Sequence, residues 1–280
     1  MVKPIMILGT CSGAGKSTVV FALCRLFQRA GFDTVPFKAQ NMSNNSHILE
    51  DGRVMARSQA LAAYASGKEP DVDMNPLFLT YRDGLLSVIA RGRLLEGVDQ
   101  KAFEAMKSDL PFQIMGAYER ITKGRDIVVL EGAGSPVEMN LKDRDIVNIR
   151  MAILAKSPVI LVADIDRGGA FASVYGTLML LSEEERRLVK GIIINRIRGD
   201  AASFQEVRRE MEKITGLPVV GMLPYLSIQL EDEDDLIDPL TGKKPRQGRE
   251  TMELALDELA DSLKEHLDMD RLYDILEGGI

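Results

Sequence analysis

Cysteine and histidine are scarce in this chain. Its 280 residues hold two of each: Cys11, Cys24, His47 and His266. The four form no spaced cluster, which excludes a structural zinc site. Cys11 falls in a glycine-rich loop and Cys24 in the helix expected after it, so no disulfide is expected and a reducing compartment fits. Long apolar runs are also missing. No stretch can span a bilayer and no signal-peptide pattern precedes the first strand, so the sequence reads as cytoplasmic with no membrane partner. Positive charge is in deficit: 35 Lys and Arg face 42 Asp and Glu, a net charge of −7. That balance argues against nucleic acid as a partner of the surface as a whole. An anionic ligand must then be held by local basic residues. Internal repeats and low-complexity segments are absent as well.

What is present is an ordinary globular composition, 45% hydrophobic and 28% charged, sufficient for a sizeable core. Continuous apolar segments at 4–8, 34–37, 86–90, 126–131, 158–163, 190–194 and 218–221 read as strands buried on both faces. Helical patterns fall at 16–30, 54–66, 100–123, 145–156, 170–181, 183–188 and 202–215. Ser182 with Glu185 and Ser203 with Glu206 have the spacing of capping boxes, and Gly31 and Gly216 sit at C-cap positions. The alternation predicts an α/β fold: a doubly wound, mostly parallel sheet with helices on both faces. Ligands on such a sheet bind at the carboxyl ends of the strands. The reading divides the chain into a domain over 1–226 and a tail over 227–280. The tail holds an acidic run, Glu231 to Asp235, a polar linker, and an amphipathic helix over 251–267. That helix is expected to pack on its own domain.

The most informative segment is Gly9 to Thr18, Gly-Thr-Cys-Ser-Gly-Ala-Gly-Lys-Ser-Thr, directly after the apolar run Pro4–Leu8. A strand, a glycine-rich turn and a helix opening at Lys-Ser-Thr make a phosphate cradle of the P-loop NTPase type. Loop amides and the helix N-terminus face phosphate oxygens, Lys16 adds charge, and the Ser17 hydroxyl can ligate Mg²⁺. The nucleotide contacts expected here are Gly9, Thr10, Gly13, Gly15, Lys16, Ser17 and Thr18. With Gly15-Lys16 fixed, the usual pattern puts its first glycine where Thr10 stands. The leading glycine is Gly9, so the loop is one residue longer.

Glu131 ends a strong strand and is followed by Gly-Ala-Gly; beside a P-loop it is placed to hold Mg²⁺. Lys38, at another strand end, could bridge a γ-phosphate and an acceptor carboxylate. The run Gln40 to Ser46, with Asn41, Asn44 and Asn45 within it, is either a solvated turn or a polar lining for a substrate rich in carboxylate and amide groups. Asp166 and Arg167 follow a third strand. Asn195 and Arg196 follow a fourth, where the asparagine amide can read a purine edge and the arginine can contact an anion. Asp143-Arg144-Asp145 suggests a local ion-pair network. His47 reads as a loop residue and His266 as a surface one.

Six segments together carry a resemblance: Gly9 to Ser17, Pro36 to Met42, Asp73-Met74-Asn75-Pro76, Glu131 to Pro136, Val162 to Gly169, and Ile194 to Asp200. Over about residues 5–226 the chain resembles the synthetase domain of the cobyric acid synthase family. The longer loop is also shared with dethiobiotin synthetase. The resemblance implies an ATP- and Mg²⁺-dependent amidation of a corrinoid. Carboxylates of adenosylcobyrinic acid a,c-diamide would be activated as acyl phosphates, and the b, d, e and g positions amidated by ammonia. It assigns catalysis to Lys16, Lys38 and Glu131, the metal to Ser17 and Glu131, and the substrate to the Gln40–Ser46 run with Asp166 and Arg167. The family normally continues into a glutaminase domain with a Cys nucleophile and a His partner. Neither cysteine here is so placed, which leaves four readings: a separate glutaminase subunit, free ammonium, a piece cut from a longer chain, or a diverged activity. A homodimer is the other partner considered. Cys11 stands where a small hydroxyl residue is commoner. The alternatives are a dethiobiotin-synthetase-like ligase for another carboxylate, and a nucleotide-dependent switch or metallochaperone module.

Overall fold

The computed structural model describes residues 2–278 apart from 83–84, 97, 99, 107–108, 141, 143–144, 200 and 227–247. The acidic run, the linker and the centre of the Asp143–Asp145 network lie outside the described residues, as does the Ser203 side chain. Six strands form one parallel sheet: β1 (Lys3–Gly9), β2 (Thr34–Phe37), β9 (Ile127–Glu131), β10 (Val159–Asp164), β11 (Val189–Ile197) and β12 (Val219–Pro224). Their order is β12-β11-β10-β1-β9-β2. β1 is central, paired with β10 on one side and β9 on the other.

Alternation along β1 shows why the sheet is covered twice. Ile5 and Ile7 enter one apolar cluster, Met6 and Leu8 the other, and all four are fully buried. The first face carries α1 (Lys16–Arg29) and the C-terminal helices α9 (Arg249–Lys264) and α10 (Met269–Gly278). The second carries α4 (Leu110–Thr122), α5 (Ile149–Ala155), α6 (Ala170–Leu180) and α8 (Ala201–Thr215). This is the doubly wound α/β architecture anticipated from the sequence. Between α6 and β11 the short helix α7 (Glu183–Arg187) starts with the full Ser182–Glu185 capping box. Gly31 and Gly216 adopt left-handed backbone just past α1 and α8.

Several sequence expectations need correction. The strand read at 86–90 is β7 (Leu85–Ala90) and does not belong to the parallel sheet. It pairs antiparallel with β6 (Leu77–Arg82), an unforeseen strand, within a second sheet ordered β3-β6-β7-β8. β3 is Gln40–Met42 and β8 is Arg93–Leu94. The polar run is therefore partly a strand. Residues 54–66 split into β5 (Val54–Ala56), which pairs with β4 (Ser46–Ile48), and α2 (Arg57–Ala65). Partners distant in sequence decide both cases, and periodicity cannot see them. The helix expected over 100–123 is two, α3 (Gln100–Met106) and α4. Pro111 forces the break, because it suits only the first turn of a helix. α5 begins at Ile149 rather than 145, since Asp145 Oδ1 accepts from the amides of Val147 and Asn148 and holds a turn instead.

The amphipathic helix expected over 251–267 is α9, which ends at Lys264, and α10 follows it as a further helix. Met252, Leu256, Leu259 and Leu263 of α9 are buried against α1. Polar contacts flank them: Arg25 with Glu253, and Arg29 with Asp261 at 2.7 Å. His266 lies in the turn between α9 and α10, half-buried, and its carbonyl accepts from Met222 N.

Candidate active site

The loop after β1 wraps below the start of α1. Gly15 sits at φ 98°, and a Cβ there would stand 1.9 Å from Asn195 Nδ2. Only glycine fits. α1 has no acidic residue in its first turn and no side-chain cap, which leaves its leading amides to the loop concavity. Lys16 is 6% exposed; its Nζ donates to Cys11 O at 3.0 Å and Gly134 O at 3.3 Å. The lysine thus ties the P-loop to the glycine-rich loop after β9. That second loop is itself pinned. Asn148 pairs with the peptide of Ala133 on both sides, accepting its N–H at 3.0 Å and donating to its carbonyl at 2.9 Å. A Cβ on Gly132 would fall 2.3 Å from Asn148 Oδ1.

Glu131 ends β9 with 1% exposure. Its Oε1 accepts from Ser17 Oγ at 2.8 Å and from Lys38 Nζ at 2.9 Å, and its Oε2 accepts from Gln59 Nε2 at 3.1 Å. Lys38, also 1% exposed, stands just after β2, where the chain leaves the large sheet for the small one. The structure therefore brings Lys16, Ser17, Lys38 and Glu131 together at the carboxyl ends of β1, β2 and β9. Gln59, Asn75 and Asn148 were not singled out from the sequence. Their roles come from contacts with distant backbone and side chains, and only Asn75 lay in a motif that could have flagged it.

The polar run lies beside this cluster. Asn41 is buried in β3 and donates to Ser58 Oγ at 3.0 Å. Its Oδ1, like Gln59 Oε1, is buried and accepts no hydrogen bond among the described residues. Such acceptors are costly unless a ligand or water satisfies them. Gln40 is half-buried in the same strand. Asn44 is exposed and accepts from Thr80 Oγ1, Asn45 O accepts from Arg57 N, and Ser46 pairs with Ala56 in the β4–β5 hairpin.

On the far side of the P-loop, Asn195 Nδ2 donates to Ala14 O at 3.0 Å and its Oδ1 accepts from Arg196 N at 2.9 Å. Each end of the amide keeps capacity for one more bond. Arg196 holds φ 60°, a strained value for this residue, and its guanidinium reaches Gly13 O at 3.0 Å and the buried Asp164 at 2.7 Å. Asp166 and Arg167 are exposed. Arg198 forks onto Asp166, and its hydrogen bond and charge hold that carboxyl below the ordinary aspartate range. Arg167 lies 3.3 Å from Asp164. Thr18 is half-buried in the first turn of α1, and Gly9 and Thr10 lead into the loop, with Thr10 N bonded to Val162 O.

The small sheet is anchored by the buried Asp73, whose carboxylate accepts from Arg91 Nε and from Arg120 Nε and Nη2 at 2.8–3.0 Å. Burial alone would push this carboxyl up. Bonds and charge from Arg120 and Arg91 outweigh it and hold the group below its usual value. A depressed carboxyl adds stability above its unfolded-state pKa, and that stability is lost as pH falls through the folded value. Asp73→Asn should lower Tm at pH 7 by about 2–4 °C, on the order of 1 kcal/mol. Melts against pH should show the gap from wild type closing below about pH 4. A constant gap down to pH 2 would show the charge to be irrelevant.

Residues 5–236 match the family model described as the CobQ/CobB/MinD/ParA nucleotide binding domain. The chain belongs to that family. Curated relatives of the chain include the cobyric acid synthase of Listeria monocytogenes serotype 4a (strain HCC23). That protein is 51% identical over 244 residues, 87% of this chain and 47% of the relative. The cobyric acid synthase of Salmonella heidelberg (strain SL476) is 47% identical over 250 residues, 88% of this chain and 49% of the relative. The chain spans about half the length of the curated relatives it matches. Among solved structures, the septum site-determining protein MinD with Mg-ADP from Pyrococcus horikoshii aligns at 17% identity and a TM-score of 0.45, over 81% of this chain and 83% of that one.

No group of three or more His, Cys, Asp or Glu able to hold a metal occurs among the described residues. Nor is any helix among them long and apolar enough to cross a membrane.

Proposed function

We propose that this nucleotide-binding domain amidates corrinoid carboxylates with ATP, taking adenosylcobyrinic acid a,c-diamide toward cobyric acid. The observation that carries the reading is the buried Ser17–Glu131–Lys38 cluster at the mouth of the P-loop, in a chain about half identical to cobyric acid synthases.

The residues fit Mg²⁺. A hydroxyl and a carboxylate oxygen 2.8 Å apart suit a hard cation that takes few protein ligands and completes its shell with water and phosphate oxygens. When bound, the ion would neutralise charge between the β- and γ-phosphates. Ser17 and Glu131 would hold it, with the P-loop amides and Lys16 on the phosphates. Lys38 would orient the γ-phosphate toward a substrate carboxylate. A carboxylate oxygen attacks the γ-phosphorus and the bond to ADP breaks, giving an acyl phosphate. Ammonia then attacks the acyl carbon, the C–O bond to phosphate breaks, and the nitrogen loses a proton. The chain's work is positioning, charge stabilisation and exclusion of water, so no protein nucleophile is needed. Gln40, Asn41, Asn44, Asn45 and Ser46, with Asp166 and Arg167 opposite, would line the corrinoid side. Asn195 would use its remaining donor and acceptor on the adenine, with Arg196 beside it.

Cys24 is fully buried in α1, and burial pushes its thiol far up, so it cannot serve as a glutaminase nucleophile. Cys11 lies in the P-loop. This domain would therefore receive nitrogen as ammonia released outside residues 1–280, or as free ammonium. The purified chain should form amides with ammonium, form none with glutamine, and gain glutamine use when a glutaminase is added. Heavy oxygen in the substrate carboxylate should appear in inorganic phosphate. Amidation by the chain alone from glutamine would refute the nitrogen assignment. Failure of ammonium with every corrinoid tested would transfer the reading to another polycarboxylate.

A further inference from the structure

In the motif Asp73-Met74-Asn75-Pro76, Asn75 is 2% exposed and both ends of its amide are hydrogen-bonded. Its Nδ2 donates to Lys38 O at 3.0 Å and Leu77 O at 3.2 Å, and its Oδ1 accepts from Ala56 N at 3.2 Å. These three peptides belong to different segments. Lys38 lies between the two sheets, beyond the last β2 ladder pair at Phe37 and before the first β3 pair at Gln40. Ala56 immediately precedes α2, and Gln59 is in the first turn of that helix. Leu77 opens β6. Lys38 is also gripped from its other side, where its N–H donates to Met74 O at 2.9 Å.

We propose that Asn75 is a positioning residue for this site. By clamping the main chain at Lys38 and the entry to α2, it sets Lys38 and Gln59 against the two oxygens of Glu131. The proposal rests on the reading of that cluster as the phosphoryl-transfer centre.

The chemistry explains the residue type. A strand exit and a helix entry each leave backbone groups without a ladder or helix partner. Two of those meeting here are carbonyls and one is an N–H, so the clamp needs two donors and an acceptor on one short planar group. Asparagine supplies that set; aspartate has no donor and serine reaches too little. The clamp is itself immobilised. Pro76 keeps the backbone of Asn75 out of the helical region, and it stands at φ −143° and ψ 74°. Asp73, held by Arg91 and Arg120, fixes the preceding 3₁₀ turn over Val72–Met74.

Asn75→Asp keeps the shape and removes both donated bonds. The test is acetylation of lysines by an N-hydroxysuccinimide ester, read by peptide mass spectrometry on the folded chain without nucleotide. Lys38 should label about tenfold faster or more in the variant while Lys16 changes less than about twofold, the pattern of a local opening. A fluorescent ATP analogue with Mg²⁺ should bind within about threefold of wild type, while ATP turnover falls about tenfold or more, because the displacement acts on geometry rather than on binding. Unchanged labelling of Lys38 overturns the proposal. Equal acceleration at Lys16 and Lys38 also overturns it, since that is general loosening. If Asn75→Asp does not fold, Asn75→Ser carries the same comparison. Wild type that binds no nucleotide in Mg²⁺ would instead defeat the reading of the centre. The labelling result needs no nucleotide and stands apart from that failure.

Discussion

The Lys16→Ala chain is expected to fold and to turn over ATP about 10²–10³-fold more slowly. Lys16 gives its charge to the P-loop and its second-loop neighbour, through Cys11 O and Gly134 O, and to nothing in the hydrophobic core. The strand and helix that flank it are held by residues such as Ile5, Ile7, Val19 and Leu23, all fully buried. Losing two bonds to loop carbonyls should cost on the order of 1 kcal/mol, so Tm should fall by no more than about 4 °C. A preorganised cation aimed at developing phosphate charge is worth far more, and loss of a single such group typically costs about 10²–10³ in rate. Circular dichroism melts and ADP release from the same preparation separate the two effects. Near-normal turnover, or a chain that no longer folds, would show that Lys16 does a different job.

Glu131→Gln is expected to damage both catalysis and stability. Lys38 and Glu131 are 1% and 0% exposed in their side chains, and the exchange takes from Lys38 the carboxylate it donates to. Breaking a buried pair from one side typically costs about 3–5 kcal/mol, which corresponds to roughly 6–15 °C in Tm for a chain of this size. Replacing both partners by neutral groups costs much less. Lys38→Met in the Glu131→Gln background should therefore recover much of the lost Tm while activity stays absent. The Mg²⁺ concentration for half-maximal turnover in Glu131→Gln should rise about tenfold or more, as one charge leaves the metal's surroundings. An unchanged Mg²⁺ curve would remove Glu131 from the metal site. A double variant no more stable than the single one would mean that the pair's electrostatics are not what holds this region.

The legible part of the molecule is the part encoded locally. The loop from Gly9 to Thr18, the buried strands of the large sheet, the Ser182–Glu185 box and the left-handed Gly31 each follow from a few neighbouring residues. Glu131 and Lys38 could be named because each ends a strand, and strand ends on one side of a parallel sheet converge. The small sheet was not legible. Leu85–Ala90 is as apolar as a central strand, and only its pairing with Leu77–Arg82 reveals which sheet it joins. The connecting amides were harder still. Gln59 and Asn148 look like any polar residue in sequence, and Asn75 stood out only by its motif, because the groups they bond come from elsewhere in the chain. Pro111 is the local signal that divides the long helical pattern at 100–123, since proline suits only the first turn of a helix.

The exit from α9 bears on how the large sheet ends. β12 is its outermost strand, and an outer strand offers bare peptide groups to any other chain. Here residues 266–268 lie along it: Met222 N bonds His266 O, Asp268 N bonds Val220 O, and Gly221 bridges Leu267. At the opposite margin, Pro36 in β2 has no N–H to offer. The C-terminal segment is therefore more than a cover for α1. It closes the sheet's open border against sheet-to-sheet association, so the protein's resistance to aggregation depends on residues remote from every catalytic group.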